Sequence, residues 1–86
     1  MSRITFSPYA LEQMRERRLS SRAVRATVAN PDQVLTGKGR RAIAQRRIQE
    51  AGKDYLLRVV YEASEERIIV VTAYKTSKIG KYWRQQ

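Results

Sequence analysis

The spacing of apolar residues is helical over the first third of the chain and alternating after it. Arg3 to Phe6 read as a short extended start. Ser7 and Pro8 then open a helix, because serine caps free amides and proline suits the first helical position. Ala10, Leu11 and Met14 give this helix a narrow apolar face. Phe6 and Leu11 stand at the two positions of a hydrophobic staple. Leu19-Ser20-Ser21 repeats the device, with Ser20 as cap and Leu19 and Val24 as the staple pair. Val24, Thr27 and Val28 recur at inward-facing helical spacing, and Asn30-Pro31-Asp32 stops the helix.

Beyond Pro31 the period becomes two. Gln33 to Thr36 read as a short strand and Gly37-Lys38-Gly39 as a turn. Arg41 to Glu50 form a strand in which Ala42, Ala44 and Ile48 alternate with Gln45 and Arg47. Ala51 to Asp54 make the next turn, Tyr55 to Ala63 a strong strand, and Ser64 to Glu66 the turn after it. Arg67 to Lys75 is the most β-prone run; its unbroken Ile68-Ile69-Val70-Val71 predicts a central strand buried on both faces. The tail, Thr76 to Gln86, is polar and basic but carries Tyr82 and Trp83. This order predicts an α+β fold, with two N-terminal helices packed on a four- to five-stranded, mainly antiparallel sheet. One domain is expected over residues 1–86. The helices should cover one face of the sheet and leave the other as a working surface.

Charge sharpens the picture. Lys and Arg number 18 against 8 Asp and Glu, a formal net charge of +10. Such an excess points to a polyanionic partner: nucleic acid, the ribosome, an anionic membrane or an acidic protein. A membrane-surface role would want a basic helix with bulky apolar anchors, and these helices have small apolar faces. No secretory or membrane-spanning run stands out, and the chain reads as cytoplasmic. With no cysteine and no histidine, thiolate ligands, disulfides and an imidazole base are excluded. The carboxylates are scattered, so neither a metal centre nor a cofactor is expected.

What remains is cation and tyrosine. Arg40, Arg41, Arg46 and Arg47 lie on one hairpin, and Lys75, Lys78 and Lys81 follow the last strand among Tyr74, Tyr82 and Trp83. Such a set can hold a phosphate backbone by charge and stack bases on rings. Trp83 is read first as a packing residue. Arg58 stands mid-strand between apolar neighbours, on the face shared by Leu56, Val60 and Glu62. An arginine there needs a partner, either Glu62, a cross-strand carboxylate or a bound anion.

These stretches resemble the RelE-like ribonuclease toxins of bacterial toxin–antitoxin pairs. Tyr55 to Glu62 (YLLRVVYE) is similar to that family's strand with a basic residue before a Val-Tyr pair. Arg67 to Ala73 (RIIVVTA) is similar to its next strand, and Tyr74 to Tyr82 (YKTSKIGKY) to its basic C-terminal segment. A closer resemblance is to a branch of the RelE/ParE-like superfamily, the domain-of-unknown-function family 4258. It runs through Tyr9 to Met14, Arg17-Arg18-Leu19, Asn30 to Val34, Arg40 to Arg47 and Val70 to Tyr74. Tyr9 and Gln13 stand where that family has histidine and arginine.

The resemblance implies a RelE-like fold, a small antitoxin encoded nearby, and metal-independent cleavage of mRNA, possibly at the ribosome. It implies that Arg58 contacts the scissile phosphate, that Lys78 stabilises charge or acts as acid, and that Tyr82 orients or stacks on substrate. Arg41, Arg46, Arg47, Lys75, Lys81 and Tyr74 would bind RNA around them. Lys78 stands where the ribonuclease toxins more often carry arginine, and lysine lacks the bidentate fork. Two other readings remain open: a non-catalytic RNA- or ribosome-binding module, and a gyrase-directed toxin of the ParE type, since a fold does not fix a function.

Overall fold

Ser7 and Ser20 act as their positions predict. In the computed structural model, which describes residues 3–85, each accepts a hydrogen bond from the amide three residues on, Ala10 at 3.0 Å and Ala23 at 3.1 Å. The elements in chain order are β1 (Arg3–Phe6), α1 (Pro8–Glu16), α2 (Ser21–Ala29), β2 (Gln33–Thr36), β3 (Arg41–Glu50), β4 (Lys53–Ala63), β5 (Arg67–Thr76) and α3 (Ile79–Tyr82). The strands form one five-stranded sheet in the order β1-β5-β4-β3-β2. Among the described residues only the β1–β5 pair is parallel, so the fold is α+β with a mixed, mainly antiparallel sheet.

The core lies between α1, α2 and one face of the sheet. Ala10, Met14 and Val24 meet Leu57, Val59, Val70 and Ala73, with Ile4, Phe6, Leu19 and Val28 packed around them. Each fully buried valine or leucine contributes roughly 1.5–3 kcal/mol. Leu11 does not join them. It is 47% exposed, and the Phe6 ring instead carries the Arg25 guanidinium 4.8 Å from its centroid.

The centre of the sheet is β4, not the more apolar β5. Four successive residues of β4, Leu56 to Val59, are buried, whereas β5 buries only Val70 and Ala73 among half-buried neighbours. Hydrophobicity alone does not rank strands; β4 has a layer over both faces at its middle, while β5 lies one place nearer the edge.

A register shift explains how Val70 and Ala73, three apart, both reach the core. Val60 pairs with Thr72, but Tyr61 pairs with Val70, which leaves Val71 without a partner on β4. A bulge of this kind swaps the faces of the strand beyond it. Ser7 closes the irregularity: its amide donates to the Val70 carbonyl at 3.0 Å and its hydroxyl to the Val71 carbonyl at 3.3 Å. Arg17 reaches over from the end of α1 to the Ala73 carbonyl at 2.9 Å.

Two turns carry side chains in left-handed backbone. The β3–β4 turn is only Ala51-Gly52, with φ of 51° and 76°; Lys53 and Asp54 already pair with Glu50 and Gln49. Positive φ at both central residues marks the mirror-image turn that suits a twisted hairpin. At the end of α1, Arg18 has φ 56°. The Leu19 amide donates back to Met14 at 2.8 Å and the Arg18 amide to Arg15 at 3.2 Å. This is a Schellman end, with arginine where glycine is usual.

Candidate nucleic-acid interface

The ladder decides which charged side chains share a face. Gln45 pairs with Arg58, which pairs with Tyr74; Arg41 pairs with Glu62 and Arg47 with Leu56. Gln33 of β2 lies opposite Gln45. These residues form the sheet face turned away from α1 and α2. The alternation along Tyr55 to Glu62 is therefore as the sequence predicts, with Leu57 and Val59 in the core and Arg58 opposite.

The chain beyond β5 folds back over this face. A single helical turn, α3, brings Tyr82 against Tyr74, ring edge to ring face with centroids 6.3 Å apart. Trp83 and Arg84 then continue toward β2. The tail is thus a strap across β5, β4, β3 and β2, where the sequence alone indicates no element. It is tied by carboxamides. Gln45 Nε2 donates to the Tyr82 carbonyl at 3.1 Å, and Gln33 Nε2 to the Arg84 carbonyl at 2.6 Å. The Arg84 amide donates back to Gln33 Oε1 at 3.0 Å.

Arg58 lies beneath the strap and is only 7% exposed. Its Nε donates to Gln45 Oε1 at 2.6 Å, and Nη1 donates to the Tyr74 hydroxyl. The Tyr82 ring covers its guanidinium at 4.1 Å, and the Tyr74 ring lies 5.5 Å away. Glu62 does not pair with it but with Arg41, at 3.4 Å. Among the described residues no carboxylate lies within ion-pair distance of Arg58. Its charge is held by dipoles and π faces alone, which compensate burial less fully than an anion would.

The other candidates divide. Arg41, Arg47, Tyr74 and Tyr82 share the face with Arg58, and Lys81 lies 5.3 Å from the Tyr82 ring centroid. Lys78 is exposed at the start of α3, and its side chain makes no hydrogen bond or ion pair among the described residues. Arg46 and Lys75 lie on the other face. Arg46 reaches the Ala26 carbonyl of α2 at 3.5 Å; Lys75 pairs with Glu50 and sits 4.9 Å from the Tyr55 ring centroid. The hairpin arginines do not act as one cluster, since neighbours in a strand point opposite ways. Trp83 packs, as expected, but on a cation: the Arg47 guanidinium lies 4.3 Å from its ring centroid. Tyr9 is exposed on α1.

Gln33, Gln45 and Arg84 complete the arrangement and were not singled out by sequence. Gln45 is fully buried and uses both amide hydrogens, on Gln33 Oε1 and the Tyr82 carbonyl, and its oxygen on Arg58. A glutamine among alanines in a half-apolar strand was the available signal, but its meaning depends on a register that sequence does not state. Chemically, the face offers one buried guanidinium, exposed cations around it and three rings.

The model of a family described as "Domain of unknown function (DUF4258)" matches residues 6–75. No curated protein and no solved structure matches the chain.

Proposed function

The chain belongs to the DUF4258 family, and on that premise we propose that it is an RNA-directed toxin of a toxin–antitoxin pair, related to the RelE-like ribonucleases and cutting mRNA without a metal. The observation that carries this reading is the buried, carboxylate-free Arg58 on a face that also carries Arg41 and Arg47, with Lys78 and Lys81 exposed on the segment that folds back over it. A guanidinium left without a counter-ion suits an anionic group that arrives with the substrate.

In such a reaction the 2′-hydroxyl gives up its proton to solvent water as its oxygen attacks the neighbouring phosphorus and the bond to the 5′-oxygen breaks. The products are a cyclic phosphate and a 5′-hydroxyl. Arg58 stabilises the extra charge on the pentacoordinate phosphorus, Lys78 gives a proton to the leaving oxygen, and Tyr82 holds a flanking base. The neighbouring antitoxin neutralises the protein by covering this face.

The test is induced expression in a bacterial host, with and without the adjacent small gene, while new RNA 5′ ends are mapped. Discrete cuts that vanish when the neighbour is present are expected. Lys78→Ala changes only an exposed side chain and is expected to lower cleavage about a hundredfold. Growth arrest with unbroken RNA would overturn the ribonuclease reading.

A second reading is a binding module that does not cut. The cover of Tyr82 over Arg58 favours it, because a phosphate cannot reach that guanidinium while the ring is in place. Salt-sensitive RNA binding by purified protein with no new 5′ ends in cells would select it.

A further inference from the structure

Tyr82 and Trp83 are consecutive, and each lies on a guanidinium of a different strand: Tyr82 on Arg58 of β4 and Trp83 on Arg47 of β3. Beside them, the carbonyls of Tyr82 and Arg84 accept from the carboxamides of Gln45 and Gln33. Flat rings on guanidinium planes, with carbonyl acceptors on amide donors alongside, are also the contacts by which proteins hold splayed bases of single-stranded RNA. We propose that residues 82–84 are seated, in the resting protein, where single-stranded RNA binds, so that strap and RNA compete for Arg58 and Arg47, and Tyr82 turns to a flanking base only after it has left Arg58.

The inference rests on the reading of this face as RNA-directed, and adds how the face is occupied and opened. Two observations support exchange. The strap is lightly anchored: α3 is one turn of four residues, has no side-chain cap and buries none of its residues. The strap is also the wrong charge for its seat. It brings Lys78, Lys81 and Arg84 to a face where Arg47 and Arg58 have no carboxylate partner among the described residues, Arg41 being paired with Glu62. A polyanion gains attraction at that seat where the strap meets repulsion. The seat lies within the part of the chain that the family model matches, and the strap lies beyond it.

The sign of one substitution tests this. The probe is a short 2′-O-methylated single-stranded RNA, which binds but cannot be cut at the 2′-oxygen. If the strap competes, Trp83→Ala weakens the closed state and RNA binds about tenfold more tightly, which corresponds to about 1.4 kcal/mol. If Trp83 is instead a platform for bases, the same change weakens binding by a comparable factor. A second measurement needs no variant: hydrogen exchange at the Arg84 amide, now bonded to Gln33. RNA should speed it. Binding with weaker affinity in Trp83→Ala, or with slowed exchange at Arg84, overturns the inference alone. Failure of both proteins to bind RNA overturns the RNA reading of the face, and the inference with it.

Discussion

Arg58 is held by one amide oxygen, one phenol and two rings, so its neighbours set its cost. Gln45→Leu removes the acceptor on Nε and both donors that tie Gln33 and Tyr82, and leaves a buried cation under-satisfied. A loss of about 2–4 kcal/mol is expected, read as a lower thermal midpoint. Gln45→Glu keeps an acceptor and adds the missing countercharge. It should melt above Gln45→Leu while loosening the strap, since a carboxylate cannot donate to the Tyr82 carbonyl. A melting point for Gln45→Glu at or below that of Gln45→Leu would show that the uncompensated charge is not the dominant cost. The left-handed positions behave oppositely. Ala51 and Arg18 carry a Cβ where glycine is unstrained. Ala51→Gly is expected to stabilise by about 0.5–1 kcal/mol, a rise of several degrees in a domain of this size. No rise would mean that the unfolded chain's gained freedom offsets the relief.

At the scale of elements, Ser7 joins three parts of the fold. It caps α1, donates through its amide to Val70 and steadies the bulge through Val71. Ser7→Ala should therefore cost about 1–2 kcal/mol, at the upper end for a cap, because the bulge carbonyl loses its donor as well. A loss no greater than that of Ser20→Ala would show that the cap alone matters. The two caps were legible in sequence because capping is local: serine before an apolar helical run needs no distant partner. The strands were legible for the same reason, through the alternation of Tyr55 to Glu62. The bulge, the central place of β4 and the exposure of Leu11 were not, since each depends on which surface another element brings. The same limit applied to the site. Arg58, Tyr74 and Tyr82 could be picked out by residue type. Arg46 and Lys75 were grouped with them by nearness in sequence, although the pleat sends them to the other face. Gln33 and Gln45 acquire a role only from the register that sets them against each other.

For the molecule as a whole, the argument is about charge and its placement. The described residues contain two ion pairs, Arg41–Glu62 and Lys75–Glu50, in a chain with 18 basic side chains. Most of the positive charge is left to meet something else. If Arg41, Arg47, Lys78, Lys81 and Arg84 each neutralise one phosphate, the logarithm of RNA affinity should fall with the logarithm of salt at a slope of about −3.5. Arg15→Ala and Arg22→Ala, exposed on the helices, should leave that slope unchanged. A slope that drops by about 0.7 for either would place the RNA across the helical side instead.

The pairing of β1 with β5 matters on a different axis, that of synthesis. Arg3 to Phe6 find their partners at Arg67 to Val70, and α1 and α2 share their core with Leu57, Val59, Val70 and Ala73 of β4 and β5. The first third of the polypeptide can therefore fold to completion only after the last strand has left the ribosome. Pairings of this sequence separation are slow to form. The basic face is assembled later still, because Tyr82, which covers it, follows the last strand of the sheet. Until then the nascent protein would be an open, highly cationic chain, with Arg58 uncovered until the segment after β5 has been made and folded back.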